Sequence, residues 1–201
     1  MLQLKVMQED LKKIAITGNM GTGKSAVGQF LRQAGEAVLE TDKITVQLYE
    51  NRDVRGLIQD KFGLGFFCDD GSVDRRKFAE QIFASDADRA WLERLFWPRI
   101  KDEVDLWFYK QKCRQKRRAF VIVPLLFEAG WEKFFDEIWL VRSSREDILT
   151  RLQIQRRLTL AQARKRLSTQ MSDQQKIDLV NLVIRNNGSL DDLKSVIQQL
   201  L

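Results

Sequence analysis

Short continuous apolar runs alternate along the chain with stretches whose apolar residues fall three and four positions apart, a pattern that predicts an α/β protein built on a parallel sheet. Residues 13–17, 37–39, 119–123, 137–141 and 179–184 read as the strands. After the first strand, Ala26, Val27, Phe30 and Leu31 continue at helical spacing. Between residues 44 and 118 the pattern is largely helical and aromatic-rich, with Phe78, Ile82 and Phe83, then Trp91, Leu92, Leu95 and Phe96, on recurring faces. Gly63, Gly65 and the run Asp69-Asp70-Gly71-Ser72 break that stretch near its middle. The strand pattern then resumes, Ser143-Ser144 starts a helix, and two basic helices part near Leu158 and Thr159, where Thr159 can cap the second. Asn186-Asn187-Gly188-Ser189 turns the chain into a closing helix from about Leu190. The expected division is a core of residues 1–43, 119–144 and 172–201, a helical insertion over 44–118, and a helical segment over 145–171. No internal repeat interrupts it.

The connection between the first strand and its helix carries the strongest chemical signal. Gly18-Asn19-Met20-Gly21-Thr22-Gly23-Lys24-Ser25 fits G-x-x-x-x-G-K-[ST], in the strand–loop–helix order that such a phosphate-binding loop needs. Its glycines let the backbone wind around phosphate oxygens with the amides inward, and the helix beginning near Ala26 adds a favourable field for an anion. Lys24 can neutralise β/γ-phosphate charge, and the Ser25 hydroxyl is a hard oxygen ligand suited to Mg²⁺. A Gly-rich turn with an exposed lysine is the bland alternative.

Composition narrows the chemistry. The chain of 201 residues has no histidine, which removes Ser-His-Asp triads, H-E-x-x-H zinc sites and imidazole bases. A proton acceptor is therefore expected among carboxylates. Cys68 and Cys113 form no C-x-x-C, and free thiols in a reducing cytoplasm are expected. Residues 1–10 alternate polar and apolar positions without a continuous apolar region, so no secretory signal is expected there. The longest apolar stretch, residues 119–127, is too short to span a bilayer and contains Pro124. A soluble cytoplasmic protein follows as the expectation. The net charge of +6 suits a polyanionic ligand. Two segments carry much of it: residues 110–118, which can be simply a solvated helix face, and the arginines from Arg151 through Arg156, Arg157, Arg164 and Arg166.

A phosphate loop alone leaves GTPases, large ATPases and small-molecule kinases open. The chain has no Asn-Lys-x-Asp element for guanine, and the strand through Val121-Ile122-Val123 runs into Pro124 rather than into an acidic residue. A compact kinase fits better. Such enzymes commonly close an arginine-bearing helical lid to exclude water, and residues 151–170 have that character. Guanidinium groups can fork onto phosphate oxygens and stack on a base.

The ordered set as a whole resembles the dephospho-coenzyme A kinase family. It comprises the loop, the strand-end carboxylates of Glu40-Thr41-Asp42, Phe62-Gly63, the stretch Asp70-Gly71-Ser72-Val73-Asp74-Arg75, and Pro124-Leu125-Leu126-Phe127-Glu128. Arg151, Arg156, Arg166 and Gln170 follow, then Val183-Ile184-Arg185-Asn186-Asn187-Gly188-Ser189. The resemblance implies a three-layer P-loop kinase fold with a five-stranded parallel sheet, an inserted acceptor-binding domain and a lid. It implies ATP-dependent phosphorylation of the 3′-hydroxyl of dephospho-coenzyme A, the last step of coenzyme A synthesis, with ATP and Mg²⁺ as cofactors and neither nucleic acid nor membrane as partner. Oligomeric state stays open.

On the same resemblance, Asp42 orients the attacking hydroxyl and accepts its proton, with a helix-capping role as the alternative. Lys24, Arg151 and Arg156 stabilise phosphoryl charge, with Arg166 a weaker candidate. Asn186 and Asn187 lie where the family contacts adenine, although an Asn-Asn-Gly turn explains them equally well. Arg75, Phe78 and Glu128 are implied near the acceptor, with a core role open for Phe78. The chain departs from the family pattern at Glu40, Trp97, Ile122 and Arg157, where Asp, His and two acids are usual. Trp97 and Ile122 favour the main rival reading, a kinase with another acceptor such as a nucleotide or sugar alcohol. A non-catalytic nucleotide or nucleic-acid binder is the other rival.

Overall fold

In the computed structural model residues 10–201 are described apart from Arg157 and Thr169, with the backbone alone for Gln155, Arg156 and Arg166. Strands β1 (Lys12–Thr17), β2 (Ala37–Glu40), β3 (Arg118–Ile122), β4 (Glu137–Arg142) and β5 (Leu182–Arg185) form a five-stranded sheet of order β2-β3-β1-β4-β5. β1 pairs in parallel with β3 and β4, and β4 with β5, in registers that set Ile16 beside Ile122 and Trp139. Ile14, Ala15, Ile16 and Thr17 are all buried. Both faces of the central strand are therefore covered, which is why its sequence is a continuous apolar run and not an alternation.

The elements match the periodicity except at the last strand. Leu179, expected to open it, lies in the turn after the helix over Asp173–Ile177, so β5 starts at Leu182. On one side of the sheet pack α1 (Lys24–Gln33) and α9 (Leu190–Gln199), each through a pair of residues four apart, Val27 with Leu31 and Leu193 with Ile197. They meet Ile14, Ile16, Phe120, Ile122, Trp139, Val141 and Ile184, and each such fully buried side chain stabilises the fold by about 1.5–3 kcal/mol. Ile122 belongs to this core. A Cβ on Gly28 of α1 would stand 2.6 Å from its Cδ1, so the apolar side chain at 122 fills the space that Gly28 leaves.

Two compact units result, one of residues 10–39 and 107–201, the other of Glu40–Leu106. Against the expected insertion of 44–118, this second unit begins four residues earlier and ends twelve residues earlier. β2 passes straight into α2 (Thr41–Glu50) with Glu40 as its N-cap, and the last turns of α5 (Asp86–Cys113) pack in the sheet unit, where Phe108 meets Phe134 and Phe135. Residues 145–171 do not form a third unit. They contribute α6 (Arg145–Arg156) and α7 (Leu160–Ser168) to the sheet unit, and Thr159 caps α7 as expected, accepting from Gln162 N at 3.2 Å while Gln162 Oε1 accepts from Thr159 N at 2.9 Å.

The second unit is held by rings. α2, α3 (Arg52–Phe62), α4 (Arg75–Ala84) and the first part of α5 enclose Phe78, which is fully buried and meets Tyr49, Phe62 and Phe66 edge-on at 6.2, 5.1 and 5.8 Å between centroids. Burial among these rings pushes the Tyr49 phenol up to about 12, against a smaller lowering by the nearby Arg75 guanidinium. Between α3 and α4 the glycines and acids form the expected break, a short turn at Leu64–Phe66 and a bridge from Phe67 to Val73.

Candidate functional site

β1 ends at Thr17, and the chain winds through residues 18–23 before α1 begins at Lys24. Gly18 has φ of 144° and Gly23 φ of 96°, and a Cβ at either would run into the Val141 carbonyl or the Asn186 amide respectively. Only glycine can follow this path. The N-terminus of α1 has no side-chain cap and no acidic residue in its first turn, so the chain itself does not neutralise the helix field there. The Lys24 ammonium donates to the carbonyls of Gly18 and Asn19 at 2.7 and 3.0 Å, and Ser25 is exposed beside it. Amides, helix field and ammonium together make a cradle fitted to the oxygens of a polyphosphate.

The loop is braced from the carboxyl ends of β4 and β5. Asn186 is buried; its amide donates to the Thr22 carbonyl at 2.8 Å and its own carbonyl accepts from Ser143 Oγ at 2.6 Å. The Arg151 guanidinium, from α6, donates to Ser143 Oγ at 2.8 Å, to the Asn186 carbonyl at 3.0 Å and to the Gly21 carbonyl at 3.4 Å. Asn187 Oδ1 accepts from Ser144 N at 2.9 Å. Behind the loop, Met20 packs on a cluster of Ile148, Leu152 and Ala163 from α6 and α7, and its amide donates to Gln170 Oε1 at 2.9 Å. The buried Thr22 hydroxyl donates to the Asn19 carbonyl at 2.9 Å, closing the turn.

Several sequence expectations change meaning here. Arg151 comes to the loop, but its hydrogen bonds hold backbone carbonyls together. Asn186 is buried, and its side chain is part of the loop's wall. Glu128, expected near the acceptor, accepts from Met171 N at 3.1 Å and lies 3.8 Å from the Lys176 ammonium. Phe78 forms the centre of its unit's ring cluster. Arg75 is exposed at the start of α4, after the N-cap Asp74 that accepts from the amides of Arg76 and Lys77. Asp42 is exposed in the first turn of α2, whose N-cap position is Glu40. The side chains of Arg156 and Arg166, and all of Arg157, lie outside the described residues.

Sequence reasoning missed Ser143 and Lys176. Ser143 read only as a helix start, whereas its hydroxyl links Asn186, Arg151 and, at 3.3 Å, the Thr22 carbonyl. Lys176 is fully buried, which nothing in a short polar helix signals beforehand. Among the described residues no cluster of three or more His, Cys, Asp or Glu side chains could hold a metal ion, and no helix is long and apolar enough to cross a membrane. Both cysteines are free and exposed.

A glycine loop of this kind, set between the central strand and the first helix of a five-stranded sheet, defines a P-loop kinase fold. Shikimate kinase from Acinetobacter baumannii shares that fold, with a TM-score of 0.51 at 17% identity over 96% of this chain and 93% of that one. The dephospho-CoA kinase family model matches residues 12–192, and the chain belongs to that family. It is 35% identical over 191 residues to the dephospho-CoA kinase of Thermosynechococcus vestitus, covering 94% of this chain and 93% of the relative. It is 30% identical over 190 residues to that of Dehalococcoides mccartyi, covering 94% and 96%. The solved structure of TT1252 from Thermus thermophilus superposes with a TM-score of 0.81 at 28% identity, covering 94% and 96% of the two chains.

Proposed function

We propose that the chain transfers the γ-phosphoryl group of ATP to the ribose 3′-hydroxyl of dephospho-coenzyme A, giving coenzyme A and ADP. What carries this reading is the intact glycine cradle, with Lys24 and Ser25 in place, in a chain matched by the family over residues 12–192. In the reaction a bond forms between the 3′-oxygen and phosphorus as the β,γ-bridging P–O bond breaks, and the hydroxyl proton passes to a carboxylate.

Asp42 is that carboxylate, since the chain has no imidazole and Asp42 is exposed at the start of α2, directly after β2. Lys24 exchanges its loop carbonyls for phosphate oxygens and neutralises charge that grows on them, and Arg156 joins it from the end of α6. Arg151, Ser143 and Asn186 act one step away, keeping the loop amides aimed at the phosphates. The Ser25 hydroxyl would be the residue to hold Mg²⁺, which would offset the negative charge of the triphosphate. Arg75 offers a guanidinium for acceptor phosphates. Residues 145–171 serve as the lid, a reading supported by the packing of Ile148, Leu152 and Ala163 around Met20 of the loop.

An ADP-release assay with Mg-ATP tests the reading against dephospho-coenzyme A, adenosine, pantetheine phosphate and a sugar panel. Stimulation by dephospho-coenzyme A far above the other acceptors is expected. A rate equal to the ATP-only blank would overturn it.

A further inference from the structure

Lys176 is fully buried on α8 (Asp173–Ile177), and its ammonium points at the nucleotide loop. Nζ donates to Asn19 Oδ1 at 2.8 Å. Two carboxylates flank it, Glu128 with Oε1 at 3.8 Å and Asp173, whose Oδ2 accepts from Arg142 Nε at 3.3 Å. The other oxygen of each, Glu128 Oε2 and Asp173 Oδ1, is buried with no hydrogen-bond partner among the described residues. Burial lowers the Lys176 pKa from its ordinary range, and the two carboxylates oppose that lowering.

A buried ammonium is a costly way to fill space, and an apolar side chain of similar volume would commonly stabilise a fold as well or better. The position of the charge suggests what it does. Asn19 faces two ways: its side chain receives Lys176, while its backbone carbonyl receives the Lys24 ammonium at 3.0 Å and the Thr22 hydroxyl at 2.9 Å. Next to it, Met20 N donates to Gln170 Oε1 at 2.9 Å, and Glu128 Oε1, which faces Lys176, also accepts from Met171 N at 3.1 Å. The stretch from Gln170 to Lys176, which follows α7, is thereby bonded to the two loop residues Asn19 and Met20.

We propose that Lys176 is a positioning residue of the nucleotide site, fixing Asn19 so that the loop carbonyls hold Lys24 where the phosphates arrive, and joining the loop to the segment that leaves α7. The proposal rests on the loop's binding a nucleotide, and its test reads nucleotide affinity directly, so it stands or falls separately from the choice of acceptor.

The experiment measures the Kd of a fluorescent ADP analogue with Mg²⁺, and the KM for ATP and for dephospho-coenzyme A, in Lys176→Met, Asn19→Ala and the double variant. Lys176→Met is expected to weaken nucleotide binding by about tenfold, while the acceptor KM stays within about twofold. Because Lys176 acts through Asn19, the double variant should bind nucleotide no more weakly than the worse single one. A lowered melting temperature with unchanged nucleotide Kd, or equal losses toward nucleotide and acceptor, would overturn the proposal, as would fully additive single effects. Should Lys176→Met fail to fold, Asn19→Ala decides alone: an unchanged nucleotide Kd contradicts the positioning role, and a loss confined to nucleotide supports it.

Discussion

The two compact units of this chain encode their roles differently. In the sheet unit, eight consecutive residues form the phosphate cradle, and backbone amides, a helix end and one ammonium supply its chemistry. In the Glu40–Leu106 unit, side chains far apart in sequence converge on Phe78, and nothing contiguous identifies a site. A loop whose function resides in its backbone path is constrained residue by residue. A unit assembled from packed rings places no such demand on any one contiguous stretch.

That contrast can be tested by removing one element at a time. The largest effect is expected from Asp42→Asn, which keeps the size of the side chain and removes its basicity. Steady-state kinetics should show kcat lower by about 10²–10⁴-fold, with nucleotide Kd nearly unchanged. A near-normal kcat would return Asp42 to a surface role in the first turn of α2.

Next comes Phe78→Ala. Emptying the centre of the ring cluster should destabilise the protein by about 3–5 kcal/mol in denaturant unfolding, while nucleotide affinity measured on the folded fraction is retained. A large loss of nucleotide affinity on the folded fraction would mean that the two units are not separable in this way. Gly23→Ala is the converse. Forcing a Cβ toward the Asn186 amide at φ of 96° should cost about 1–3 kcal/mol and fall chiefly on nucleotide binding.

The smallest effect is confined to high pH. The Tyr49 phenol is raised from 10.0 to about 12 because its anion would be buried, so the unfolded chain loses this proton first. Its contribution to stability is complete below about pH 10 and is lost as pH rises toward about 12. Ultraviolet titration in a Tyr109→Phe background should find Tyr49 ionising near pH 12, and ionisation near pH 10 would show that the cluster is open to water.

How much of this was legible in the sequence follows the same division. Strand positions, the loop and the capping of α7 by Thr159 rest on local signals, contiguous runs, glycines and cap residues, and the structure agrees with them. The start of β5 was misplaced because Leu179 is apolar yet belongs to a turn. Roles decided by tertiary packing were hidden. Asn186 read as a turn residue, and neither its contact with Thr22, nor those of Glu128 with Met171 and Lys176, nor that of Lys176 with Asn19 leaves a local signal. In each case the partner lies at least 43 positions away or in the loop itself, beyond the reach of any local pattern.

We infer that the loop serves phosphoryl transfer to one hydroxyl of one acceptor. Phosphorus NMR of the product formed from Mg-ATP and dephospho-coenzyme A tests it most directly. A new phosphate monoester on the ribose 3′-oxygen, formed in step with ADP, is expected. ADP formed without that monoester, or a phosphate placed on a different hydroxyl, would contradict it.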